Sequence, residues 1–156
     1  MCIRDRLGVL LAGRAYFAEE DELELAVAPQ LAAPVLVAVD GSPRAVAVTA
    51  AAAKLAAERG AAVQVLHVHE TDVLGEQAVD RESRQMAAAV LARRLTQLRD
   101  AGVEAGGEVL HTFGDHEDAV QAVLDRVDQI GAQVVVVGRA GRVSARSTVP
   151  VVVVPA

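Results

Sequence analysis

Three short segments of this chain, Val35–Val39, Val134–Val137 and Val151–Val154, are apolar at every position. Unbroken runs of that length suit strands covered on both faces, as in a parallel sheet flanked by helices. Val63–Val68 predicts a second strand and Glu108–Phe113, with weak alternation, a third. Helical patterns fill the intervals. Ser42 is placed as an N-cap with Pro43 at the first helical position, and an alanine-rich stretch then runs to Glu58 or Arg59 before Gly60 stops it. Residues from Gly75 to Asp100 contain a long helix whose Met86, Val90, Leu91, Leu95 and Leu98 share a face, closed by Gly102. Asp115 is placed to cap a third helix with Ala119, Val120, Val123, Leu124 and Val127 inward, ending at Gly131. Three strand–helix pairs followed by two more strands define an α/β domain with a mainly parallel, doubly wound sheet, and crossover handedness puts helices on both of its faces.

Residues 1–32 lack this regularity. Glu19–Glu20–Asp21–Glu22 is an acidic cluster with no matching face, and Met1–Arg6 resembles adapter read-through. This leader is expected to be disordered or non-native, with the folded domain spanning 33–156.

Composition narrows the function. The 156 residues suffice for one domain with a real core, and at 53% hydrophobic the chain as a whole is not disordered. Aromatics are only 2%, so stacking platforms for single-stranded nucleic acid are excluded. A net charge of -6 and a pI near 5.2 also argue against a nucleic-acid partner. Arg139, Arg142 and Arg146 form a local basic stretch, sized for one phosphate chain and otherwise a solvated loop. Cys2 is the one cysteine, which rules out an intrachain disulfide and a cysteine-based metal site. No stretch reaches the roughly 18 apolar residues of a membrane span. A cytoplasmic protein without membrane attachment is the expectation.

These elements do not carry the familiar site signatures. The chain has no Walker A loop, and the position after the first strand holds Asp40–Gly41–Ser42–Pro43 rather than a dinucleotide fingerprint. A receiver-type phosphoacceptor is missing where the third strand ends in Thr112–Phe113–Gly114, and no Gly-x-Ser-x-Gly elbow occurs. Asp40 stands at the carboxyl end of a central strand, where it either accepts hydrogen bonds from a ligand or organises the following turn. It reaches a ligand crevice if the first and fourth strands are neighbours. His67 and His69 share a strand face; lacking a third ligand by spacing, they read as a strand-end pair partly exposed to water.

Taken together, Val35–Leu36–Val37–Ala38–Val39–Asp40–Gly41–Ser42, Val65–Leu66–His67–Val68, Gly114–Asp115, Val135–Val136–Val137–Gly138–Arg139–Ala140–Gly141 and Val149–Pro150–Val151–Val152–Val153–Val154 resemble the universal stress protein family from Pro34 to Ala156. The resemblance implies a five-stranded parallel sheet of order 3-2-1-4-5 and a homodimer through the last strand. In the nucleotide-binding branch it implies ATP held by Val39, Asp40, Ser42, Val68, Gly138, Arg139 and Gly141. It also exposes a departure. The family's phosphate loop, Gly-x2-Gly-x9-Gly-Ser/Thr, is matched only by Gly138 and Gly141; ten residues past Gly141 lies Val151. Roughly a dozen residues are missing relative to that pattern, with a hydroxyl and a helix N-terminus. Helix-end charge contributes about 0.3–1 kcal/mol and each charge-assisted hydrogen bond about 1.5–3 kcal/mol, so ATP binding is expected to be weak. A nucleotide-responsive stress module without a catalytic residue is the first expectation, and a non-nucleotide dimerisation module the second. Nucleotide hydrolysis ranks last. The short link from Gly138 to Thr148 also strains a parallel crossover, which leaves the last strand free to pair differently or to be completed by a partner chain.

Overall fold

A computed structural model describes residues 32–155 except Asp115, with the backbone alone at His116 and Glu117. The leader and the proposed Asp115 cap lie outside these residues. The elements run β1 (Val35–Val39), α1 (Ala45–Arg59), β2 (Val63–Leu74), β3 (Gln77–Asp80), α2 (Arg84–Asp100), β4 (Ala105–Phe113), α3 (His116–Ile130), β5 (Val134–Val137), α4 (Arg142–Arg146) and β6 (Val151–Val153).

Five strands pair in parallel in the spatial order β4-β2-β1-β5-β6. Counting only these strands in chain order, this is the expected 3-2-1-4-5 arrangement. The sheet nevertheless has a sixth strand. β2 runs past Val68 to Leu74, turns through Gly75–Glu76, and pairs antiparallel with β3. The sheet is therefore mixed, and the long helix expected within Gly75–Asp100 begins at Arg84. Ser83 sets that start: its hydroxyl accepts from the Met86 amide at 3.1 Å. Met86, assigned above to the inner face, points outward at 61% exposure, while Ala87, Val90 and Leu98 are buried.

Strand alternation divides the core in two. Val35, Val37, Val63, Val65, Val134 and Val136 face α1 and α2, and pack on Val48, Ala52, Ala56, Val90 and Leu98. Leu36, Leu66, Val135 and Val137 face α3 and meet Val123 and Val127. The short crossover closes without repairing the sheet elsewhere: β6 lies parallel to β5, with Val135 opposite Val151 and Val137 opposite Val153.

Two local expectations about α1 are corrected. The helix starts at Ala45, its N-cap is Arg44, and no side chain caps it. Pro43 belongs to the preceding turn, and the Ser42 hydroxyl is spent on Asp40 at 2.6 Å. Competition from the nearer carboxylate takes the capping group away from the helix.

β4 approaches β2 closely at Gly107. A Cβ there would lie 2.7 Å from Leu91 Cδ1 and 2.8 Å from the Val65 carbonyl oxygen. The second contact is backbone in a central strand and cannot swing aside. Gly107→Ala is expected to cost about 1–3 kcal/mol through overpacking; an unchanged urea midpoint would contradict this packing.

Candidate functional site

β1 lies between β2 and β5. The α1 crossover leaves it on one face and the α3 crossover enters β5 on the other, so the chain parts above the carboxyl ends of β1 and β5. Such a switch point is the usual ligand crevice of doubly wound sheets. Here it opens into a cleft of about 420 Å³. Val39, Asp40, Val68, Gly138, Arg139 and Gly141 all line it; Ser42 does not, and acts through Asp40. Ala38, Leu66 and Val68 from the sheet and Ala119, Val120 and Val123 from α3 give the cleft an apolar interior.

Asp40 takes both roles open to it in the sequence. It lines the cleft, and its Oδ1 accepts from the Ser42 amide at 3.0 Å and the Ser42 hydroxyl at 2.6 Å, an Asx-type turn. Partial burial pushes its carboxyl group up, but the two Ser42 bonds and the charge of Arg139 outweigh this and hold it below the usual carboxylate range.

Gly138 follows β5 directly, and a Cβ there would come 3.1 Å from Val48 Cγ2. The loop is thus held against α1 at a distance only glycine permits comfortably. Of the three loop arginines, Arg139 and Arg142 line the cleft, whereas Arg146 hydrogen-bonds Gln121 on α3. Arg44 and Arg81, not foreseen, line it as well, together with Glu70. Arg44 also donates to the Val154 carbonyl at 3.2 Å, tying the turn before α1 to the chain end beyond β6. Its place directly after Ser42–Pro43 was the available signal. Nothing local marked Arg81, because β3 was not recognised.

The histidines lie on the opposite, α1/α2-facing side of β2, and burial overturns the expected water-exposed pair: His67 is 4% exposed and His69 0%. Their polarity is internally satisfied. His67 Nδ1 is 2.9 Å from the Val39 carbonyl and Nε2 2.5 Å from Glu82 Oε2. His69 Nε2 is 2.8 Å from the Glu82 carbonyl, and its Nδ1 is 3.2 Å from His111 Nδ1. Among the described residues no group of three or more His, Cys, Asp or Glu is placed to hold a metal ion, and no helix is long and apolar enough to cross a membrane.

A mainly parallel sheet with helices on both faces and a glycine-bounded cleft at its switch point defines an α/β domain of the doubly wound class. A family model described as the universal stress protein family matches residues 33–155, and the chain belongs to that family. A universal stress family protein from Burkholderia pseudomallei shares 24% identity, with 80% of this chain and 96% of that one covered at a TM-score of 0.67. The universal stress protein from Archaeoglobus fulgidus, solved in complex with dAMP, shares 25% identity over 79% of this chain and 98% of that one, with a TM-score of 0.62. A universal stress protein in complex with cAMP has the same fold at 19% identity, covering 78% and 95% at a TM-score of 0.56. No curated protein sequence matches significantly.

The sign of the Asp40 shift makes a testable statement. A depressed carboxyl group contributes stability above its unfolded value near about 3.9, lost as pH falls through the lower folded value. Ser42→Ala should move the Asp40 titration upward, read by carbon NMR of its carboxyl group. A titration unmoved by the loss of the hydroxyl would show that Ser42 does not stabilise the charge.

Proposed function

We propose that this chain is a non-catalytic, nucleotide-responsive module of the universal stress type, which weakly binds an adenine nucleotide such as ATP in the cleft above β1 and β5. The observation that carries it is the convergence on one 420 Å³ cleft of an apolar interior, an ionised Asp40 and the Gly138–Gly141 loop. The dAMP complex of the Archaeoglobus protein supports the choice of adenine. Asp40 would take the ribose side and Gly138 to Gly141 the phosphates, with Arg44, Arg139 and Arg142 adding charge. Weakness follows from the loop, since α4 has five residues and Val151–Val153 occupies the region of the family's second glycine and hydroxyl. Among the described residues no activated nucleophile accompanies the cleft, and binding rather than turnover is the proposed outcome. Cytoplasmic residence belongs to the same proposal. Titration calorimetry with ATP and magnesium, and with AMP, should give heat at millimolar nucleotide that Asp40→Ala abolishes. Silence at that concentration would remove the proposal.

One observation favours a second role, self-association through β6. Among the described residues this strand pairs on one edge only, with β5, and leaves Val152 and Val153 at 38% and 37% exposure. An uncovered apolar edge is a template for another strand. Light scattering should report a dimer that Val153→Lys converts to monomer; a dimer indifferent to that charge would place the interface elsewhere.

A further inference from the structure

Beyond Val68, the α3-facing side of β2 carries an acid. Alternation puts Leu66, Val68 and Glu70 on one face, and all three line the cleft. A carboxylate at the end of an apolar slot loses hydration and requires compensation; the Glu70 side chain is only 18% exposed. Arg81 supplies it. Its Nη1 lies 3.1 Å from Glu70 Oε1, while Nε and Nη2 fork onto the Asp72 carboxylate at 3.0–3.1 Å. The Arg81 amide also donates to the Glu70 carbonyl at 3.0 Å. The Asp72 fork fixes the guanidinium, and the guanidinium fixes Glu70.

We propose that Glu70 reads the base of the bound nucleotide by accepting a hydrogen bond from its exocyclic amino group, with Arg81 as the positioning residue. Glu70 acquires this role only if the cleft is an adenine-nucleotide site, as proposed above. Apolar walls accept the faces of a flat heterocycle but do not distinguish one base from another. Discrimination needs a polar group at the edge, and an ionised carboxylate, which only accepts, selects for an edge that offers N–H. A carboxylate has about four acceptor positions, so it can accept from a ligand alongside the partners it holds within the protein. The spacing also fits. Val39 pairs with His67, so Asp40 stands level with Val68 and Glu70 lies two residues further along β2, about 7 Å away. That is comparable to the span from a ribose to the amino edge of its purine. With the sugar at Asp40, the amino group is directed toward Glu70.

The test compares AMP with purine riboside 5′-monophosphate, the same nucleotide with hydrogen in place of the amino group. Calorimetry on the full chain should show the wild type preferring AMP about tenfold to a hundredfold. Glu70→Met should bind both ligands alike, and Glu70→Gln, whose amide oxygen still accepts without charge, should fall between. Arg81→Met should shrink the ratio of the AMP affinity to the analogue affinity, whereas a merely structural loosening of the cleft would weaken both ligands alike and keep their ratio. Circular dichroism identifies the folded variants; if Glu70→Met fails to fold, Glu70→Gln decides. AMP binding without preference in the wild type, or a full preference kept by a folded Glu70 variant, overturns the role of Glu70 and leaves the nucleotide site standing. Absence of binding by either ligand to the wild type overturns both.

Discussion

Everything in this domain is arranged around β1, which has sheet neighbours on both edges and helices on both faces. A strand enclosed on all sides has no place for an unpaired polar side chain, so its sequence is restricted to Val, Leu and Ala until it emerges. The first residue beyond it is Asp40. Because the connections on either side of β1 leave on opposite faces, no helix covers that emergence point, and the cleft results from topology before any side chain specialises it. Ser42 then holds the carboxylate in a defined direction by two short hydrogen bonds, at the expense of capping α1.

The cleft rim depends on a network on the other side of the sheet. Carbonyl oxygens only accept, so His67 donates from Nδ1 to Val39, and His69 from Nε2 to Glu82. His69 Nδ1 is then the acceptor for His111, and a single proton lies between His67 Nε2 and Glu82 Oε2. Glu82 is therefore anchored by its side chain and its backbone together. It immediately follows Arg81, and Thr71 holds Asp80 on the other side through a 2.5 Å hydroxyl–carboxylate bond. The Arg81 backbone therefore cannot shift without unseating this network. Polar groups satisfied in this way fix one arrangement more sharply than apolar packing does.

The sequence disclosed what burial enforces and concealed what it does not. The valine runs at Val35, Val134 and Val151 were legible as enclosed strands because every position is constrained; the sheet order and the choice of Val68, Gly138 and Gly141 came instead from the resemblance to the family. β3 left no such trace: all four of its residues are exposed, and the end of β2 that pairs with it mixes Asp72 with exposed Val73 and Leu74. Missing that hairpin left the start of α2 unplaced within Gly75–Asp100 and hid Arg81. Burial of His67 and His69 was hidden for a related reason, since it depends on Glu82 and His111 arriving from elsewhere in the chain. At Ser42 a local rule was correct in kind but assigned to the wrong competitor.

The short crossover is where this chain departs furthest from its family's pattern, and the fold absorbs it at little cost. Residues 138–150 still deliver β6 parallel to β5, with Val143, Val149 and Val151 packed under α3 and Arg44 bonded to the Val154 carbonyl. What shrinks is the set of backbone amides that a longer helix would aim at an anion. Arginine side chains from three different segments supply charge in their place. Arg139 and Arg142 are exposed, so salt screens their charge, and long side chains define a phosphate's position less tightly than a helix end does. On the nucleotide reading proposed above, affinity in such a cleft would shift from the phosphate tail toward the base and sugar, beside Val68, Glu70 and Asp40 at the end of the sheet.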